Sequence, residues 1–219
     1  KLYGREVSVM GFCNGKRVYL MPQSKDYKRR YDYDQGPNTG GMGAIAGMEL
    51  LGKVELKKIE NYMNIIVKKL NYKGILYAGI MMCKDGTNYF LEFNCRSGCT
   101  ETESLFQLLD SDLYDVMVKC MNGEEPNIKW KKNMISVNVV LSHKLYPEKN
   151  KEKLLIEFEE KLSDDVELYW ADLNMDNGLL FTTGGRVACI VSTSDDIFTC
   201  IDNIYKKNIK KINYKDMDY

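Results

Sequence analysis

The chain of 219 residues holds one histidine, four prolines and two tryptophans, and its 31 basic and 31 acidic side chains cancel. Each scarcity excludes something. Zero net charge leaves no global field to draw the protein onto nucleic acid or a membrane surface. No apolar run reaches membrane-spanning length and no signal peptide is found. A Ser/His/Asp triad would have to use His143, which stands in a Lys-rich, proline-containing segment without a nucleophile-elbow sequence. The seven cysteines, at 13, 83, 95, 99, 120, 189 and 200, are odd in number and scattered. They read as reduced thiols in a cytoplasmic protein, not a disulfide framework. Cys95 and Cys99 are four apart, but no second Cys/His pair completes a zinc site.

What is present is enough for one large or two smaller domains. "REVSVMGFC" and "KRVYLMP" flank the turn "CNGK" and predict a hairpin. "GILYAGIMMCKDGTNYFLEFN" predicts a second, turning at "KDGT". Between them, "ELLGKVELKKIENYMNIIVKKL" places Val54, Ile59, Tyr62, Ile65, Ile66 and Leu70 at helical spacing. Residues 101–121 read as a helix in two pieces broken near "DSD", and "GEEPNIKW" as a linker. Beyond it come a strand in "MISVNVVLS", a helix in "EKNKEKLLIEFEEKL", and two or three strands in "VELYWADLNMDNGLLFTTGGRVACIVST". "SDDIFTCIDNIYKKNIKKI" closes as a helix with Ser194 as N-cap and acidic residues in its first turn. The expected class is α+β: a mixed domain over 1–125, then a smaller sheet-and-helix domain over 126–219.

Three stretches carry chemistry. In "LEFNCRSG", strand alternation sends Glu92, Asn94 and Arg96 to one side at intervals of about 7 Å, with Phe93 and Cys95 toward the core. Carboxylate, amide oxygen and guanidinium in one row suit a magnesium-bound phosphate, and equally the solvent side of an edge strand. In "DQGPNTGGMGA", glycines 36, 40, 41 and 43 fit neither a Walker A motif nor a dinucleotide fingerprint. Such a loop either is a flexible surface segment or offers backbone N–H groups to an anion. "SKDYKRR" concentrates Lys25, Lys28, Arg29 and Arg30, as a solvated basic face or a phosphate clamp. In "TTGGRV", Arg186 follows a tight turn, exposed or reaching an anion.

Taken together, "LYGREVSV", "PNTGGMGA", "LYAGIM", "LEFNCRSG" with "ET", "SDL" and "TTGGRV" stand in an order and spacing that resemble the phosphoribosylamine–glycine ligases, ATP-grasp enzymes of purine biosynthesis. The resemblance covers nearly the whole chain but only the later part of the family's length. It implies the C-terminal half of an ATP-grasp domain over 1–125, mixed and largely antiparallel, then a small β-rich C-terminal domain over 126–219. It implies ATP and Mg2+ (or Mn2+), glycine and 5-phosphoribosylamine as substrates, and a glycyl phosphate between them. Glu92 and Asn94 fall on its metal ligands, Arg96 and Lys28 on catalytic positions near the transferred group, and Glu6 on the ribose-binding glutamate. Asp26, Arg29, Gly36, Asn38, Thr39, Gly40, Gly41, Gly43 and Arg186 fall on the phosphate and acceptor side. A front domain and a lysine-bearing lid are expected before Lys1, in a longer and possibly multifunctional chain, and the isolated piece is expected to be inactive. The chain departs where the family has Phe-Gly-Asp-Pro-Glu-Thr: here stand Ser97, Gly98, Cys99, Thr100, Glu101 and Thr102. "SHKLYP" and "YWADL" differ too, so a non-catalytic relative and a ligase for another carboxylate stay open.

Overall fold

The computed structural model describes residues 2–148, 152–158 and 161–219. In chain order its elements are β1 (Gly4–Asn14), β2 (Val18–Leu20), β3 (Ser24–Asp26), β4 (Arg29–Tyr31), β5 (Gln35–Asn38), β6 (Gly43–Ala46) and α1 (Lys53–Leu70). There follow β7 (Lys73–Cys83), β8 (Asn88–Asn94), α2 (Glu101–Gln107), α3 (Leu113–Asn122), β9 (Ile135–His143) and β10 (Glu157–Phe158). The rest are β11 (Val166–Trp170), β12 (Leu173–Asp176), β13 (Leu179–Thr182), β14 (Arg186–Ser194), α4 (Ile197–Asp202), β15 (Ile212–Asn213) and β16 (Met217–Asp218). They form two compact units, Lys1–Lys25 with Ala46–Asn133, and Asp26–Ile45 with Met134–Tyr219. This is the α+β class, with antiparallel sheets and few helices.

In the first unit β1 pairs antiparallel with β7 along its whole length, and β8 pairs with the far side of β7. Residues opposed across such a ladder share a face. Val7, Val9, Leu76, Ala78 and Ile80 therefore face one way, onto Ile59, Met63 and Val67 of α1. Burying each of these helix side chains is worth about 1.5–3 kcal/mol. The helix docks along this i, i+4, i+8 row, so Val54, Tyr62, Ile65 and Leu70 of the expected stripe stay exposed. The other face carries Glu6, Ser8, Met10, Tyr77 and Gly79, and α3 packs against β1 and β7.

In the second unit β9, β14 and β11 form an antiparallel sheet, with β16 on the end of β9. The α4 segment runs on through a π turn (Asn203–Asn208), burying Cys200, Ile204 and Ile209 against Val137, Val139, Leu141 and Ile190. Its N-cap is Asp196, whose carboxylate accepts from Thr199 N at 2.8 Å, in place of Ser194, and its first turn holds no acidic residue.

A further expectation changes. The helix expected in "EKNKEKLLIEFEEKL" is extended over 152–158: Leu154 O accepts from Thr182 N at 2.9 Å, and Ile156 N donates to Leu180 O at 2.9 Å. Leu154 and Ile156 are buried at a period of two, which a strand satisfies and a helix does not. Positions 149–151 and 159–160 of that stretch lie outside the described residues. By packing, the first compact unit closes at Asn133. Asp110 N donates to Lys129 O and Lys131 N to Leu108 O, at 2.9 and 2.8 Å, tying the expected linker to the first unit. The glycine loop groups with the second unit.

Candidate functional site

In the first unit the ligand row stands on β8. Gly79 is opposite Glu92 and Ile80 opposite Phe90, so Leu91 is a bulge residue that resets the alternation between them. Past the bulge, Glu92 lies on the face of Gly79 and Asn94 on that of Tyr77, while Phe93 is opposite Ala78. Asn94 Nδ2 donates to Glu92 Oε1 at 2.9 Å, which leaves the Asn94 carbonyl oxygen and the second carboxylate oxygen as hard donors on one face. Glu6, half-buried on β1, belongs to the same face by its pairing with Met81.

Two expectations fail here. Arg96 lies beyond the last residue of β8, and its Nη1 donates to the neighbouring Ser97 O at 2.9 Å, so strand alternation does not place it. Phe93 and Cys95 are exposed, not core residues. Phe93 does lie on the α1 side, stacked on Phe90 at 5.1 Å, but β8 is the last strand of its unit's sheet and its side chains stay half-covered.

In the second unit the glycine segment is partly strand: β5 pairs with β4, and β6 follows. Gly36 has φ 82, and a Cβ there would run into the Tyr31 ring, so glycine is required on both counts. The N–H groups of the central turn all have protein acceptors. Thr39 N donates to Lys28 O at 2.7 Å, Gly40 N to the Tyr146 hydroxyl at 2.8 Å, Gly41 N to Thr39 Oγ1 at 3.0 Å and Met42 N to Tyr27 O at 2.8 Å. Arg186 Nη1 donates to Gly40 O at 2.8 Å, and its guanidinium lies 5.8 Å from the Tyr146 ring centre. Arg29, an exposed residue, donates to Gly36 O at 2.7 Å. Lys28 is half-buried, and Asp26 ends β3. The structure thus gathers Lys28, Arg29, Asn38, Thr39, Gly40, Gly41 and Arg186 around one loop, and Glu6, Glu92 and Asn94 on one sheet face of the other unit.

Sequence reasoning missed several residues. Arg30, one of four clustered cations, is buried: its guanidinium meets Asp218 at 2.6 Å and Tyr146 O at 2.7 Å. Only the alternation of the short β4 (exposed, buried, exposed) could have singled it out. Tyr146 gave no signal at all. His143 is buried, its Nδ1 accepting from Leu145 N at 3.2 Å, which leaves the proton on Nε2, 3.9 Å from Asp216. The Lys144 ammonium at 2.6 Å holds the Asp216 carboxyl below the usual carboxylate range. A cavity of about 670 Å³ in the same unit is walled by Tyr27, Tyr31, Tyr205 and Tyr219; burial and the nearby Asp32 carboxylate push the Tyr205 hydroxyl up.

Comparison with known proteins gives these residues a setting. Residues 1–102 match the family description "Phosphoribosylglycinamide synthetase, ATP-grasp (A) domain", and residues 136–219 match "Phosphoribosylglycinamide synthetase, C domain". A phosphoribosylamine–glycine ligase of Halalkalibacterium halodurans is 35% identical over 212 residues, covering 94% of this chain and 49% of the relative. A trifunctional purine biosynthetic protein of Chironomus tentans is 36% identical over 214 residues, 92% of this chain and 16% of the relative. The chain spans about half the length of the phosphoribosylamine–glycine ligases it matches. The crystal structure of the Thermotoga maritima phosphoribosylamine–glycine ligase superposes with a TM-score of 0.87 at 30% identity, over 100% of this chain and 55% of that one. A Hydrogenobacter thermophilus biotin carboxylase domain, crystallised with MgADP, shares the fold at 12% identity and a TM-score of 0.72, over 98% of this chain and 46% of that one.

Proposed function

Because the chain belongs to the phosphoribosylglycinamide synthetase family, carrying its ATP-grasp (A) and C domains, we propose that it works as part of a ligase joining glycine to 5-phosphoribosylamine. In that reaction a glycine carboxylate oxygen attacks the γ-phosphorus of ATP, releasing ADP and forming glycyl phosphate. The amine then attacks the acyl carbon, and phosphate leaves. Both steps are governed by positioning and by neutralising charge on phosphate and acyl oxygens.

The observation that carries this reading is the Glu92–Asn94 pair, two hard oxygens fixed on one sheet face by their mutual hydrogen bond. No group of three or more His, Cys, Asp or Glu forms a metal cage among the described residues. The pair therefore fits Mg2+ or Mn2+ held jointly with phosphate oxygens, the usual habit of Mg2+ in nucleotide sites. Bound there, the ion would supply charge neutralisation at the transferred phosphoryl group. In this reading Arg96 meets the same oxygens, and Glu6 holds the nucleotide ribose. Residues 1–125 serve as the nucleotide- and metal-binding part and 126–219 as the C-terminal domain, in a cytoplasmic enzyme.

Lys28 is proposed to meet the acyl phosphate, with Asp26, Arg29, Asn38 and Arg186 shaping the acceptor side. Gly36, Thr39, Gly40, Gly41 and Gly43 contribute chiefly by holding backbone shape, since the N–H groups of 39–42 already have acceptors. The test follows ADP release in the longest polypeptide carrying this sequence, with ATP, Mg2+ and glycine, with and without 5-phosphoribosylamine. Release that depends on both substrates is the expected result. Release indifferent to glycine would point to another carboxylate, and no release from a folded protein would point to a non-catalytic relative.

A further inference from the structure

We propose that Glu101, acting through Ser8 and Tyr77, is a positioning residue for the Glu92–Asn94 pair. Glu101 opens α2 and is 2% exposed, with Ser8 at 3% and Tyr77 at 6%. A carboxylate is seldom buried so fully without a partner. Among the described residues no cation pairs with it; instead it accepts the Ser8 hydroxyl proton at 2.8 Å. A serine hydroxyl has a single proton. With that proton on Glu101, the 2.9 Å contact between Ser8 and Tyr77 must be donated by the tyrosine. The buried carboxylate therefore fixes the direction of both hydrogen bonds, from Tyr77 to Ser8 to Glu101, and with them the setting of the Tyr77 ring.

The register puts this chain of bonds beside the proposed ligands. Ser8 is opposite Gly79, which is opposite Glu92; Tyr77 is opposite Asn94. Directly opposed side chains stand about 4.5–5.5 Å apart at Cβ. Gly79 has no side chain to intervene, and a Cβ there would already touch Glu92 Cγ at 3.4 Å. Glu101 also packs against the turn that leaves β8. A side chain at Gly98 would collide with the Glu101 carboxylate, Gly98 N donates to Met10 Sδ at 3.4 Å, and the Thr102 hydroxyl donates to Gly98 O. One buried carboxylate thus reaches the strand carrying Asn94 through Ser8 and Tyr77, and lies against the turn four residues on.

The inference rests on the proposed role of Glu92 and Asn94 as metal ligands, and the test separates the two. Mn2+ binding in the presence of ADP would be followed by electron paramagnetic resonance in the intact polypeptide, for wild type, Glu101→Gln and Ser8→Ala, with thermal midpoints measured alongside. Groups that orient metal ligands typically change affinity 10- to 100-fold. The expected result is Mn2+ binding weakened about tenfold in each variant, and no further in the double variant, because the three residues act as one unit. Ser8→Ala keeps the test open where Glu101→Gln fails to fold. Wild-type binding with unchanged affinity in a folded variant would overturn the positioning role and leave the ligand assignment standing. Absence of Mn2+ binding to the folded wild type in the presence of ADP would overturn the ligand assignment itself.

Discussion

Along β8 the polar groups of Glu92 and Asn94 bond to each other on an edge strand, whereas along 39–42 of the second unit every backbone N–H already has a protein acceptor. Both segments read as ligand-facing in the sequence, one for its alternating polar side chains and the other for its glycines. The difference teaches that glycine density reports a backbone requirement, and that the requirement can be set by the protein's own packing. A row of charge-bearing groups with few internal partners is the better pointer to chemistry.

The largest effect expected from that contrast is functional. Glu92→Ala removes a carboxylate that is exposed and bonded only locally, so the thermal midpoint is expected to stay within about 1–2 °C, as for ordinary surface changes. ADP release is expected to fall at least about 100-fold, the scale of losing one preorganised charge-stabilising group. Near-normal release from Glu92→Ala would break the comparison.

The loop is expected to behave in the opposite way. A Cβ at Gly43 would collide with Asn138 O, a backbone atom that cannot move aside cheaply. Gly43→Ala is therefore expected to cost about 1–3 kcal/mol and to lower the midpoint by roughly 2–12 °C in a protein of this size. Calorimetry that finds no loss would show that the loop is not held by its packing. Tyr146→Phe is milder, because Gly40 is exposed and water can replace the lost hydroxyl. About 0.5–1.5 kcal/mol is expected, with faster hydrogen exchange at the Gly40 amide as the specific readout.

Local patterns were legible in the sequence where a single physical rule decided the outcome. Both hairpins, the two-piece helix over 101–121 and the shared face of Glu92 and Asn94 follow from alternation, turn residues and caps. What escaped depends on partners distant in sequence. The extension of 152–158 is fixed by β13, Arg30 is buried by Asp218 188 positions away, and Tyr146 reaches back 106 positions to Gly40. The expected α1 stripe shares only Ile59 with the docked row and leaves out Met63 and Val67, because helical spacing alone does not say which row meets the sheet. Leu91 escaped for another reason: a bulge has no strong residue signature, and its effect on which side chains share a face appears only with the ladder.

The smallest effect concerns the cysteines, and it sharpens the contrast between an exposed row and a packed interior. Cys95 and Cys99 are exposed, one between Asn94 and Arg96 and the other in the turn that follows. Cys13 and Cys120 lie inside the first unit, where burial pushes their thiols up to about 12 and about 11. A thiolate is the reactive species, so both stay protonated across the neutral range. Brief alkylation at about pH 8, read by peptide mass spectrometry, is expected to mark Cys95 and Cys99 first and to leave Cys13 and Cys120 unmodified until the fold opens. Adding Mg2+ and ADP is then expected to slow Cys95 relative to Cys99 if ligand settles against the row. Equal rates with and without the nucleotide would place the ligand elsewhere and remove the functional half of the contrast, leaving β8 as an exposed edge.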